Sequence, residues 1–241
     1  MIKEFFASLA ASLLAITPIS WGLGHNGNEQ LPTIPDGCET LFTEYNGLYR
    51  VNTDEKKVFL TFDLGYEAGY TAQILDTLKL NNLKAIFFLC GNYLNETELV
   101  NRMINEGHMI GNHTDKHKDP TKLDFNSIQT DITVFQNEFM EKFPNAKAPI
   151  FYRPPQGKFD VETLQVAKAN NLQTMLWGIA IKDWEKAPIN PDKSSKLIAK
   201  RIHPGAIVLL HIANSGMPKT VEMLLPLLNE KGYQVGNPFE I

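Results

Sequence analysis

From Val58 onward, short apolar runs alternate with amphipathic stretches, and that alternation confines the chain to an α/β fold built on a parallel sheet. The first run, Val58-Phe59-Leu60-Thr61-Phe62, stops abruptly at Asp63-Leu64-Gly65. A continuous β-branched and aromatic run suits a parallel strand covered on both faces. Such a strand delivers Asp63 to its C-terminal mouth, where α/β sheets and barrels assemble their sites. Further strands are predicted over 85–89, 109–112, 149–153, 173–179, 206–210 and 233–235, and helices over 71–80, 96–106, 125–142, 161–169, 194–202 and 221–231. Six or seven such units make either a barrel or an open doubly wound sheet.

The remainder of the chain divides into two stretches. Lys3 precedes an apolar segment, Phe5 to Ile19, that reads as a signal peptide or short membrane anchor over 1–20. Residues 21–57, rich in glycine and proline, read as an irregular extension wrapping a domain at 58–241, with a turn of helix and a strand within 40–51. With 43% hydrophobic residues, 241 residues supply a sizeable core, and a net charge of −4 leaves no basis for binding nucleic acid. Cys38 and Cys90 are too few for a disulfide framework, and Cys90 reads as a buried free thiol.

Ionisable residues collect after the predicted strands. Asp63 follows the first, His113 and His117 the third, Arg153 the fourth, Asp183-Trp184 the fifth, and His211 ends the sixth. Taken singly, each has a structural reading as a turn cap, a surface imidazole or a salt bridge; their shared position favours a site. His113 and His117, four residues apart, would share a face in one helical turn and could bind one divalent ion, with Asn112 and Asp119 orienting the rings. In Arg153-Pro154-Pro155-Gln156-Gly157 two prolines fix the backbone, so the guanidinium could pair with Asp63 and the Gln156 amide could serve as an oxyanion donor. Asp183 could tune His211 as a general acid, while Trp184 and Leu209 could line a small apolar pocket. His108 and His203 sit at segment starts and read as structural; His25 lies in the extension without an assigned role.

Five segments in order resemble the polysaccharide deacetylase family, also called the NodB homology domain or carbohydrate esterase family four. They are Thr61-Phe62-Asp63, His113 with His117, Arg153 to Gly157, Asp183-Trp184, and Leu209-Leu210-His211. The resemblance implies a distorted (β/α) barrel of about seven units with an irregular N-terminal extension. It also implies a hydrolase acting on the linear amide C–N bond of acetylated sugars. By that resemblance Asp63 would be the base activating a metal-bound water, His211 the acid for the leaving amine, Arg153 and Asp183 the orienting residues, and Gln156 the oxyanion donor. One departure stands out. Leu64 occupies the place where the family usually carries a third, carboxylate metal ligand, so a divalent metal, with zinc as the candidate, would be weakly held by His113 and His117. Gly65-Tyr66-Glu67-Ala68-Gly69-Tyr70-Thr71 and Ser20-Trp21-Gly22 resemble the delta-lactam-biosynthetic de-N-acetylases of spore formers.

The function expected is therefore removal of N-acetyl from peptide-free N-acetylmuramic acid in peptidoglycan, leading to the muramic delta-lactam of the spore cortex. Alternatives are a deacetylase of another polysaccharide, such as peptidoglycan N-acetylglucosamine or a chitin-like oligomer, and a degenerate non-catalytic glycan-binding member. The partner expected is a peptidoglycan glycan strand. The protein is expected as an exported monomer, extracytoplasmic or tethered to the membrane through its N-terminus, at the forespore cortex.

Overall fold

The structure, a computed structural model, describes residues 17–22, 30–185 and 187–241. Most of the leader and His25 lie outside the described residues. The first half of the chain forms β1 (Ile19–Ser20), α1 (Cys38–Tyr45), β2 (Gly47–Leu48), β3 (Lys57–Leu64), α2 (Thr71–Leu80), β4 (Ile86–Leu89), α3 (Thr97–Asn105) and β5 (Met109–Asn112). Then follow α4 (Phe125–Lys142), β6 (Phe151–Tyr152), β7 (Lys158–Phe159), α5 (Val161–Ala169), β8 (Gln173–Met175), β9 (Ile179–Ala180), α6 (Pro191–Arg201), β10 (Ala206–His211), α7 (Met217–Glu230) and β11 (Gln234–Val235). Among the described residues no helix is long and apolar enough to cross a membrane.

The main sheet is parallel and curls into a distorted barrel in the order β2-β8-β6-β5-β4-β3-β10-β9, with β11 beside the start of β3. Side chains of β3 alternate between two environments, as period-two geometry requires. Val58, Leu60, Phe62 and Leu64 pack outward in one apolar cluster with Ile74, Leu75 and Leu78 of α2 and Val221 and Leu224 of α7. Phe59 packs inward with Phe88, Phe151, Ile207 and Leu209. Each such burial contributes roughly 1.5–3 kcal/mol. Helix starts are fixed locally: the Asp124 carboxylate accepts the Ser127 N–H at 2.8 Å ahead of α4, and Asp160 forms a capping box with Thr163 ahead of α5.

The run 173–179 is two strands rather than the single one its composition suggests. β8 pairs with β6 and β2 on one side of the curl, whereas β9 pairs with β10 on the other. Between them the Leu176 N–H donates to Leu48 O at 2.8 Å and the Gly178 N–H to Ile207 O at 3.0 Å. The chain thus changes partners across Leu176-Trp177-Gly178 and draws the two ends of the sheet together.

The extension is woven into this frame. β1 pairs antiparallel with β7, β2 supplies an edge strand, and Trp21 is buried in the interior cluster against Phe42, Tyr49 and Phe159. Gly111 of β5 sits opposite Phe88, and a Cβ there would lie 2.4 Å from the Phe88 ring. Gly111→Ala should therefore destabilise the protein by about 1–3 kcal/mol. A shift in the denaturant midpoint checks this, and an unchanged midpoint would show that the ring can yield.

Candidate active site

Because β3 and β10 pair in register, with His211 beside Asp63, the two residues stand on neighbouring strands at the same level. Asp63 shares the inward parity of Phe59, and His211 that of Ile207 and Leu209. Cys90, His113 and Arg153 continue the inward parity of Phe88, Met109 and Phe151. Five strands thereby deliver ionisable or thiol groups to one mouth. Leu64, of opposite parity, is buried in the outward cluster.

Arg153 is fully buried and every arm of its guanidinium is engaged. Its Nη1 donates to Asp63 Oδ1 at 2.7 Å and to Thr61 Oγ1 at 2.9 Å. Its Nε donates to Met175 O at 3.0 Å and its Nη2 to Leu176 O at 3.3 Å, while the guanidinium lies 4.0 Å from the centre of the Phe88 ring. Burial by itself would raise the Asp63 carboxyl, but the charges of Arg153, His113 and His211 and the Arg153 hydrogen bond outweigh it and hold the group below the usual range. Asp63 is therefore an ionised acceptor at neutral pH.

His211 is tethered by Asp183, which is itself fully buried. One carboxylate oxygen accepts the His211 backbone N–H at 2.8 Å and the other meets Nδ1 at 2.7 Å. This engages Nδ1 and leaves Nε2 as the atom for proton transfer. Burial opposes the charged ring, yet the Asp183 hydrogen bond and charge, helped by Asp63, raise its pKa above the ordinary histidine value. Trp184 packs edge-on at 5.6 Å between ring centres.

The two histidines of the 113–117 segment do meet, with ring centres 4.8 Å apart, but not on a helix. His113 follows β5, and the chain folds back through left-handed backbone at Thr114 (φ 67°) and His117 (φ 52°). Nor do Asn112 and Asp119 orient the rings. Arg153 O meets His113 Nδ1 at 2.7 Å, Asn112 spans to Ile132 O on α4 while accepting the Thr114 N–H, and Asp119 pairs with Lys158 at 2.8 Å. Burial lowers the His113 pKa to about 4, so the ring is neutral at physiological pH and able to ligate.

A third donor was not visible as such in the sequence. Cys90 Sγ and one nitrogen from each of His113 and His117 lie within 4.8 Å of one another. A set of two imidazoles and a sulfur suits zinc, although burial and the carboxylates of Asp63, Asp131 and Asp115 push the thiol pKa up, so sulfur would ligate only with loss of its proton. Cys38 is buried away from the mouth in the interior cluster.

The mouth opens on a cavity of about 570 Å³ whose lining includes Asp63, His211, Gln156, Trp184, Leu209 and Lys182. Gln156 takes left-handed backbone (φ 60°), and at Gly157 (φ 63°) a Cβ would lie 2.6 Å from the Trp177 ring. Trp177 and the N-terminal segment clasp each other: Trp21 Nε1 donates to Trp177 O and Trp177 Nε1 to Gly22 O, both at 2.8 Å. Asp63, His113, His117, Gln156, Trp184, Leu209 and His211 line this cavity, while Arg153 and Asp183, both fully buried, stand behind it on Asp63 and His211. Thr61, Phe88, Cys90, Trp21 and Trp177 were missed as contributors, and for the first three the alternation of inward positions along each strand was the usable signal. His108 and His203 are buried away from it; His108 Nδ1 accepts the Ala85 N–H at 3.2 Å.

What this geometry serves is hydrolysis, since one group can take a proton from water while another, one strand away, returns a proton to the departing atom. A sequence profile of the polysaccharide deacetylases matches residues 50–175, and the chain belongs to that family. Among its relatives, a peptidoglycan-N-acetylmuramic acid deacetylase of Bacillus subtilis, PdaA, is 35% identical over 221 residues, covering 90% of this chain and 82% of the relative. The solved structure of Bacillus subtilis PdaA, described as a family 4 carbohydrate esterase, superimposes with a TM-score of 0.86 at 32% identity, covering 92% of this chain and 96% of that one. A peptidoglycan-N-acetylglucosamine deacetylase of Bacillus cereus is 33% identical over 195 residues, covering 77% of this chain and 88% of the relative.

Two outcomes follow from the site. Asp183→Asn removes the charge that raises the His211 pKa, so the limb of kcat/KM that falls as pH rises through that pKa should move to lower pH; an unmoved limb would mean that another group titrates. In competition with a chromophoric chelator, His117→Ala and Cys90→Ala should each weaken zinc binding by about tenfold or more, the scale seen even for partners beyond the ligands. Unchanged affinity for Cys90→Ala would leave the sulfur outside the set.

Proposed function

We propose that the protein removes the N-acetyl group from N-acetylmuramic acid residues of peptidoglycan whose peptide has been removed, leading to the muramic delta-lactam of the spore cortex. The likeness to a muramic acid deacetylase over 90% of the chain is the observation that carries this reading. The apolar leader supports export and a place outside the cytoplasm, at the forespore cortex, secreted or tethered at the N-terminus.

In this reading Asp63, held ionised by Arg153, accepts a proton from the attacking water, and the backbone amide of Gln156 donates to the oxyanion that develops on the acetyl carbonyl. His211, kept protonated by Asp183, gives its proton from Nε2 to the departing amine. Leu209 and Trp184 bound the space taken by the acetyl methyl. His113 and His117, with Cys90 within reach, are the residues that would hold a divalent ion, and such an ion supplies Lewis-acid polarisation of the acetyl group when bound. The neighbours push the two groups in opposite directions, Asp63 down and His211 up, which widens the pH window in which an ionised base and a protonated acid coexist.

Mass spectrometry of muramyl glycan strands, with and without their peptides, tests the substrate. Loss of acetyl from the peptide-free strands alone is expected. Acetyl loss from N-acetylglucosamine units instead would transfer the reading to another polymer. Asp63→Asn should lower turnover by at least about a hundredfold, within the usual span for a lost general base, with glycan binding retained.

A further inference from the structure

Peptide-free muramic acid differs from every other residue of the glycan in one chemical respect, a free lactyl carboxylate on the ring carbon next to the acetamido group. When the acetyl carbonyl lies over Asp63 and His211, the lactyl group must occupy the same cavity. A site that selects this sugar therefore needs a cation there. Arg153 is not available, because Asp63, Thr61 and two carbonyl oxygens engage it and it is fully buried. His113 and His117 belong to the metal-binding set.

With His211 committed to the departing amine, the remaining cation among the described residues lining the cavity is Lys182. Its place is set by the fold. It sits in the bend that follows β9, two residues beyond Ala180, and it directly precedes Asp183, whose carboxylate is locked onto His211. The ammonium is thus carried one residue from the anchor of the acid. In the structure it pairs with Glu185 at 2.7 Å, with both side chains more than half exposed, 59% and 54%. A pair of that kind is worth little and exchanges readily for a carboxylate offered inside the cavity. Lys116, which lines the adjoining hollow, is instead paired with the largely buried Asp115 at 3.0 Å.

We propose that Lys182 is a specificity-determining residue that reads the lactyl carboxylate, and that it is the means by which this site prefers muramic acid freed of its peptide. The proposal rests on the muramic reading above. Amide-linked peptide would cancel the charge Lys182 recognises, and N-acetylglucosamine lacks the lactyl group altogether. Because the contact is made equally in the bound substrate and during reaction, it should act through KM rather than kcat.

The test compares two peptide-free muramyl strands, one with the lactyl carboxylate free and one with it converted to the methyl amide. The wild-type enzyme should favour the free acid by about five- to tenfold in kcat/KM, the scale of a charge-assisted contact at a partly exposed position, with the preference shrinking as salt rises. Lys182→Gln should abolish the preference by raising KM on the free acid alone, and Lys182→Arg should keep it. Glu185→Gln, which releases the lysine, should lower KM on the free acid, and Lys116→Ala should leave the ratio unchanged. Retention of the wild-type ratio in Lys182→Gln, or equal rates of the wild type on both strands, would overturn the role of Lys182 while leaving muramic deacetylation standing. Acetyl loss from neither strand, with turnover on N-acetylglucosamine polymers, would overturn both.

Discussion

The buried pairing of Arg153 with Asp63 is the interaction on which the rest of the site depends. A guanidinium removed from water is tolerated only when its donors and charge are answered. Here a carboxylate, a hydroxyl, two carbonyls and an aromatic face answer them. Those partners come from β3, β4 and the end of β8. The backbone of Arg153 continues the web, its N–H donating to Asn112 O and its carbonyl meeting His113 Nδ1. One residue thus ties together the strands that carry Asp63 and the 113–117 imidazoles. Removal of either member of such a pair typically costs about 3–5 kcal/mol, because the other is left charged and unpaired.

The opposing electrostatics of Asp63 and His211 arise from the same economy of partners. Asp63 faces positive and polarising groups, so its charge persists despite burial. His211 faces the Asp183 carboxylate, so its proton is held more tightly than an ordinary histidine's despite burial. The parallel register between β3 and β10 keeps the two side by side, with Asp183 from the segment after β9 fixing the His211 ring. Loops contribute breadth instead. The Trp177 turn closes the sheet and, through its clasp with Trp21 and Gly22, makes a segment far away in sequence part of the cavity wall.

The candidate site was legible in outline because chemistry-bearing residues recur at the ends of apolar runs, a pattern that survives without coordinates. Asp63, Arg153, Asp183 and His211 were found this way, and the structure brings them together. The pairing geometry of His113 and His117 was misread. A spacing of four suggests a helical turn, yet the segment reverses through two left-handed residues, a conformation uncommon outside glycine and rarest for a β-branched residue such as Thr114. Cys90 reads as a buried free thiol because it ends an apolar run, and it is one; its inward parity next to His113 is a property of the sheet. Leu64 offers no ligand because its side chain is hydrocarbon, and the structure packs that side chain outward beneath the helices.

The sequence by itself determined the alternation of strand and helix, the strand ends at which chemistry gathers, and the family, since these depend on local periodicity and on short motifs in order. The tertiary structure alone decided the break of the 173–179 run into two strands, the burial of Trp21 beside the site, and the approach of Cys90 to the histidines. The physical reason is that these features follow from how the sheet curls. Curvature is a sum of small twists over many pairings, and it settles which distant backbone amides meet only once the whole layer of helices is in place.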